Sequence, residues 1–446
     1  MKKFRRLASI LMVAAAVVFA AGCTKDNPNN GGGNNGGGGN NGGGGTPDPT
    51  NGPIHLPSVI TENMDLQDLG YDVDYIVDNS VTIKSNALVT VRPGVTIRVE
   101  GSKSENSNHG IIVRENAALK MTGTSAKPIR FVGYEGCGAN ERTWLGITVS
   151  TQSEENRWEC VEIHNAGSEE GEHPAVWVMA GSLAMKGCLI DGSNNCGLGL
   201  YRWDDVDGIL TEFTGNTIKN CAVAPISMYG YNAVNTLTTG NTYQNENNYV
   251  YFYSGAGITH YFDVDVRFKK LEIPYYFPKS QEWRGGHTVT IDPGVEMLFD
   301  NVGLETTAVT FQAIGSAQSP ITFRPRNPQN RWGGLRLSSS TEGNIVSHCL
   351  LKDGGSSSTS SGYQGTSLLY IGPNVKLTLK DNTFENCRYY GVAIADIKKF
   401  DNVTHSGNQF RNCELANVHI ITGGLYHGVM YSNSNGNMNL DQLPTP

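Results

Sequence analysis

The chain has 446 residues, with 34 lysines and arginines against 42 aspartates and glutamates and a formal net charge of −8. That balance, with no basic cluster after residue 30, argues against a nucleic-acid partner. The stretch from Ile54 onward is ample for a large core, and nothing in it approaches the roughly 18 apolar residues needed to cross a bilayer.

Residues 1–22 read as an export signal. Lys2, Lys3, Arg5 and Arg6 make a basic head, and residues 7–21 make an apolar stretch too short to span a membrane stably. Losing those four positive charges takes the net charge from −8 to −12. The stretch closes on Ala20-Ala21-Gly22-Cys23, which resembles the lipobox of bacterial lipoproteins. The resemblance implies that Cys23 becomes a diacylated N-terminus anchored at the outer membrane or cell surface. Ala20 stands where that motif usually has Leu, so a plain secretory signal with a spare cysteine is the alternative. Two or three acyl chains, at about 0.8 kcal/mol per buried methylene, make such an anchor durable.

Residues 23–53 follow as a linker, in which glycine runs at 31–33, 36–39 and 42–45 are separated by asparagine pairs. This composition has almost no apolar area to bury and should stay unfolded. About 30 flexible residues have a root-mean-square reach on the order of 30 Å, enough to hold a domain clear of the lipid headgroups.

The rest of the chain is a duplication. Val91-Arg92-Pro93-Gly94-Val95 recurs as Ile291-Asp292-Pro293-Gly294-Val295, and Tyr75-Ile76-Val77 as Tyr275-Tyr276-Phe277, both at an offset of 200. Lys127-Pro128-Ile129-Arg130-Phe131 pairs with Ser319-Pro320-Ile321-Thr322-Phe323 at 192, and Trp144 with Trp332 at 188. The order is kept throughout, which defines two copies, 54–250 and 251–446. Within each copy the pattern Asn-x-(Ile/Phe/Tyr)-x-Asn starts at Asn216, Asn241, Asn382 and Asn408, at spacings of 25 and 26 within each pair. A period of this size marks a solenoid. Its elements are strands, because segments such as Val95-Thr96-Ile97-Arg98-Val99 and Gly146-Ile147-Thr148-Val149 alternate and no window sustains a helical period. Three short strands to a coil of about 25 residues predict an all-β, right-handed parallel β-helix. At its turns Asn220, Asn245, Asn386 and Asn412 are expected to accept left-handed geometry and to bond along a ladder.

These residues, together with Gly123-Thr124-Ser125-Ala126-Lys127-Pro128-Ile129-Arg130-Phe131, give a chain that resembles the right-handed parallel β-helix repeat proteins among exported bacterial lipoproteins. The resemblance covers most of 74–420. It is specific for fold and poor for function, since that scaffold carries polysaccharide lyases, glycoside hydrolases, adhesins and proteins without known activity.

Of the nine cysteines, Cys23 is the anchor. The others lack zinc-finger spacing, and stacking as buried thiols explains them better than metal binding, with a Cys387–Cys413 disulfide as the alternative. Asp204, Asp205 and Asp207 are the tight acidic cluster of the first copy, and no Gly-His-Gly follows them as it does in the inverting pectin hydrolases. They read as a polar loop at a strand end, with calcium as the ion they could hold and acid–base catalysis as the alternative. His164 is read as a strand residue, because its counterpart in the second copy is Lys352. No catalytic residue, resident metal or cofactor is assigned. Tyr249, Tyr251 and Tyr253 alternate with Val250 and Phe252, so the three tyrosines share one strand face. With Trp203 they are the candidate glycan-binding residues; a seal at the junction of the two copies is the structural alternative. The expectation is a surface-displayed, non-enzymatic module that binds extracellular glycan or a protein partner, with a polysaccharide lyase or glycoside hydrolase as the other class.

Overall fold

A computed structural model describes residues 52–101, 109–134, 143–168, 172–253, 259–356, 366–432 and 434–444. Cys23, the linker up to residue 51 and Cys137 lie outside them. The chain is a parallel β-helix. In the upstream half the strands form three rows, and every coil but the last ones contributes one short strand to each. The first row holds eight strands, from Ile54–His55 to Thr242–Gln244, and the third holds six, from Met64–Leu66 to Ile209–Thr214. The second row begins at Val59–Ile60 and does not stop with the first copy. It continues through Val250–Phe252 and Tyr275–Phe277 to Gln409–Arg411. Two new rows, starting at Thr259–Tyr261 and Val266–Phe268, complete the downstream coils.

Alternation explains why these strands stack. Along the second row one inward position passes in register through Ile111, Ile147, Val176, Leu198, Ile226, Val250, Tyr275, Met297, Phe323 and Leu351, all of them buried. Each such side chain contributes about 1.5–3 kcal/mol by leaving water, and coil stacking places it on a like neighbour about 4.8 Å away. The first copy fills its core mostly with aliphatic residues. From Tyr231 onward the filling is aromatic: Tyr231 packs on Phe252, Phe262, Phe277 and Trp283.

At the junction the duplication does not stack like on like. Tyr75–Val77 lies in the first row, whereas its counterpart at an offset of 200, Tyr275–Phe277, lies in the second. Val81–Ile83 and Leu88–Val91 belong to the second and third rows, while Gln281–Arg284 and Thr288–Ile291 belong to the two new ones. The second copy is therefore advanced by one row relative to the first. The local cause is a coil in which the 3-10 turn Asn232–Thr236 follows the second-row strand Ile226–Met228, where earlier coils place a third-row strand. The backbone ladder is kept across the change, with the Val250 amide donating to the Pro274 carbonyl at 2.8 Å.

Trp144 and Trp332 show the same packing in both copies. Each is buried, and its indole N–H donates to a backbone carbonyl, that of His164 at 2.9 Å and that of Lys352 at 2.8 Å. The asparagine motif makes two ladders. At the outer one Asn220, Asn386 and Asn412 take the expected left-handed backbone, with φ of 56°, 55° and 54°, and the Asn412 amide donates to Asn386 at 3.1 Å. Asn245 is not among the left-handed residues; its side-chain oxygen accepts from the Cys221 amide at 2.8 Å. The inner ladder comes from the first asparagine of the motif, which is buried. Asn241 accepts from both the backbone and side-chain nitrogens of Asn216, and Asn408 does the same for Asn382. Asp441, on a short C-terminal 3-10 turn, accepts from the Asn408 amide at 3.1 Å and ends the ladder.

The seven described cysteines are free thiols, Cys387 and Cys413 included. Burial pushes the Cys188, Cys196 and Cys387 thiols up to about 12, which fits stacked core residues.

The inner ladder gives the first prediction. In Asn382→Ala the Cys349 amide loses its buried acceptor, and the Asn408 side-chain oxygen loses the Asn382 side-chain donor. The expected cost is about 1–3 kcal/mol, read as a lower denaturant midpoint. An unchanged midpoint would show that the ladder does not hold the coils together.

Candidate functional site

The outer face of the second row carries a connected group of aromatic side chains. Val250 and Phe252 point inward and are fully buried, so Tyr251 and its neighbours two residues apart face outward. Coil stacking extends this group at right angles to the strand. The Leu200–Met228 and Met228–Phe252 pairings put Tyr201, Tyr229 and Tyr253, one residue beyond each, at one position on successive coils. Trp177, Gly199, Ser227, Tyr251 and Tyr276 share the adjacent position. The rings touch in sequence: Trp177 to Tyr201 at 5.6 Å, Tyr201 to Tyr229 at 4.9 Å, Tyr229 to Tyr253 at 4.6 Å and Tyr253 to Tyr251 at 6.0 Å. Tyr276 follows at 5.7 Å from Tyr251, and the Arg326 guanidinium lies 5.0 Å from the Tyr276 ring centre. Tyr276, like Tyr249, is buried and closes the strip from beneath, so the three coil steps from Trp177 to Tyr251 make a strip about 14 Å long.

Small residues make room within it. A Cβ on Gly199 would meet Pro174 at 2.6 Å, so the glycine lets that proline lie flat on the sheet. Pro174 belongs to the segment that also brings Glu172 and His173 to the strip. The His173 ring meets Trp177 edge to face at 4.4 Å. The Tyr253 hydroxyl donates to the Glu172 carboxylate, and at the other end the Tyr276 hydroxyl donates to Asp300 at 2.6 Å.

Burial, with smaller contributions from Cys196 and Glu172, pushes the Tyr251 phenol up to about 12. Burial first and the neighbouring carboxylate second raise Tyr253 and Tyr276 further. The phenols are therefore neutral at physiological pH, and their rings are amphipathic: apolar faces with hydroxyls that can donate and accept.

The four aromatic residues expected from sequence all belong to this strip, in different roles. Tyr251 and Tyr253 are half-buried and present ring surface. Tyr249 is only 7% exposed and packs on Tyr276 at 4.6 Å, so it supports the strip from beneath. Trp203 is 39% exposed and stacks on Tyr201 at 6.3 Å, extending the strip sideways. The seal at the junction is formed by the inward ring of the same segment, Phe252, which stacks on Phe277 at 4.6 Å.

The acidic cluster is a hairpin. Trp203 and Val206 pair antiparallel, and Asp204 and Asp205 between them take φ of 47° and 64°, the positive-φ pair of a two-residue type I′ turn. The structure turns two of the aspartates onto an arginine: Arg202 reaches Asp207 at 3.2 Å and Asp205 at 3.5 Å, and also Asp263 at 2.5 Å. Asp263 comes from the start of the second copy and was invisible in the local motif. Burial holds the Asp207 carboxyl above the usual carboxylate range, against the pull of Asn232 and Arg202. Among the described residues no three histidine, cysteine, aspartate or glutamate side chains gather to hold a metal.

His164 sits in a charge ladder on the first row, 3.8 Å from Asp191, which in turn pairs with Lys219 at 3.1 Å. The registers put Lys352, Glu385 and Arg411 in the same succession on the second row of the downstream copy. A nitrogen base, an acid and a cation recur in this order in both copies, so the ladder belongs to the stacking of coils. These partly exposed pairs each contribute little to stability.

Sequence reading missed Trp177, Tyr201, Tyr229 and Tyr276, along with Glu172, Asp300 and Arg326. A signal for the rings exists in the spacings of 24, 28 and 24 residues from Trp177 through Tyr201 and Tyr229 to Tyr253, which follow the coil period. No protein-family model, no curated protein and no solved structure matches the chain.

His173 supplies the test of this geometry. Burial lowers its pKa to about 4. The unfolded chain then takes up a proton near pH 6.5 while the folded strip does not, so the ring's contribution is complete above pH 6.5. It is lost as pH falls toward 4, at a total of roughly 3 kcal/mol. A nuclear magnetic resonance titration of the His173 ring should show a midpoint near 4; a midpoint near 6.5 would mean that the ring is not packed under the strip.

Proposed function

We propose that the protein is a surface-displayed lipoprotein, anchored through Cys23 and held out by its Gly/Asn linker, and that it binds extracellular glycan without cleaving it. The observation that carries this reading is the continuous aromatic strip from Trp177 to Tyr251 on the outer face of the second row. Sugar rings pair an apolar face with a rim of hydroxyls, and neutral phenols present the complementary surface. A strip about 14 Å long accommodates consecutive sugar units running along the solenoid axis. Glycoside hydrolysis commonly uses two carboxylates aimed at the sugar. Two aspartates of the acidic hairpin face Arg202, together with Asp263.

The full chain, screened against a panel of neutral and acidic polysaccharides for both binding and release of unsaturated or reducing-end product, should show saturable binding and no product. Tyr251→Ala and Tyr229→Ala should each weaken that binding by roughly three- to tenfold. Product release abolished by Asp207→Asn would replace this reading with an enzyme, and unchanged affinity in both tyrosine variants would move the binding site elsewhere.

A further inference from the structure

The charges around the strip select its ligand. We infer that the strip takes a neutral glycan and rejects polymers carrying carboxylate or sulfate groups; this rests on the glycan-binding reading above and specifies its ligand class. Two carboxylates meet the tyrosine hydroxyls, Glu172 at Tyr253 and Asp300 at Tyr276, and Glu172 also raises the phenols of Tyr229 and Tyr251. The two arginines beside the rings are already committed to acids. Arg202, between Tyr201 and Trp203 in the strand, pairs with Asp205, Asp207 and Asp263, and Arg326, over Tyr276, lies 3.5 Å from Asp300.

Recognition of a uronate or sulfate calls for a cation whose donors are directed at the anion, usually a bidentate arginine. Here an anionic substituent lying on the rings would instead approach Glu172 or Asp300, and like-charge approach in a half-buried setting is costly. A neutral sugar presents hydroxyl donors to the same two carboxylates, and charge-assisted bonds of that kind are the stronger sort. The negative net charge of the chain adds a long-range bias in the same direction.

The test compares a neutral glucan, a neutral mannan, a polyuronate and a sulfated galactan for binding to the full chain at low and at high salt. At least one neutral polymer should bind tenfold or more tighter than either acidic one, with affinity unchanged within about twofold by salt, as expected when no ion pair forms with the ligand. Glu172→Gln and Asp300→Asn preserve side-chain shape and should narrow the discrimination by raising affinity for the polyuronate. Tight, salt-sensitive binding of an acidic polymer, abolished by Tyr251→Ala, would overturn the selectivity while keeping the strip as a glycan site. Failure of all four polymers to bind would overturn the glycan reading itself, and this inference with it.

Discussion

Every other feature of this protein depends on the hydrogen-bonded stacking of one coil's second-row strand on the next. The row runs through fourteen strands, fifteen with the short hairpin strand, and it alone passes from one copy to the other. Short strands of two to six residues cannot hold themselves together; their backbone groups are satisfied only by the coils above and below, and their apolar faces are covered only by stacking. Where the first row ends at Gln244 and the third at Thr214, continuity of the solenoid falls to Val250, Tyr251, Tyr275 and Tyr276. The advance of the second copy by one row follows from this. The second copy's strand Tyr275–Phe277 pairs with Val250–Phe252, the last second-row strand upstream of it.

The same constraint places the aromatic strip. Stacked positions on adjacent coils are about 4.8 Å apart, a spacing at which rings from successive coils touch face to edge. A tyrosine that recurs with the coil period therefore builds a continuous surface without any cleft. Inward, the same strands carry Phe252, Tyr275 and Phe277, so the region of the junction is aromatic on both sides of one backbone layer. The inner rings close the core where the strand pattern changes, and the outer rings form the aromatic strip over it.

Much of the architecture was legible in the residues. The duplicated Pro-Gly-Val turns, the 25-residue asparagine period and the alternation of short apolar runs each point to a coil of three strands, because turn chemistry and side-chain alternation are local and survive in a single sequence. The advance by one row was not legible: Tyr75 and Tyr275 look equivalent, and only pairing tells which row each joins. The inner asparagine ladder was half seen, since the motif was plain but its first asparagine gives no hint that it is buried. At the site, Tyr249, Tyr251 and Tyr253 could be found because they alternate along one strand. Tyr201 and Tyr229 were missed, because their only signal is a spacing that follows the coil period. Asp263 and Asp300 were missed too: a carboxylate's partner is set by register, and register in a solenoid is a property of loop lengths that the residues do not announce.

Amide hydrogen exchange across the junction tests the central claim most directly. The account predicts that the amides of Val250 and Phe277, whose strands join the two copies, exchange as slowly as those of Leu198 and Phe323 in the interiors of the upstream and downstream copies, and that both halves lose protection together in denaturant. Fast exchange at residues 250–252 and 275–277, with two separate losses of protection, would show two helices laid end to end and would remove the continuous face on which the strip depends.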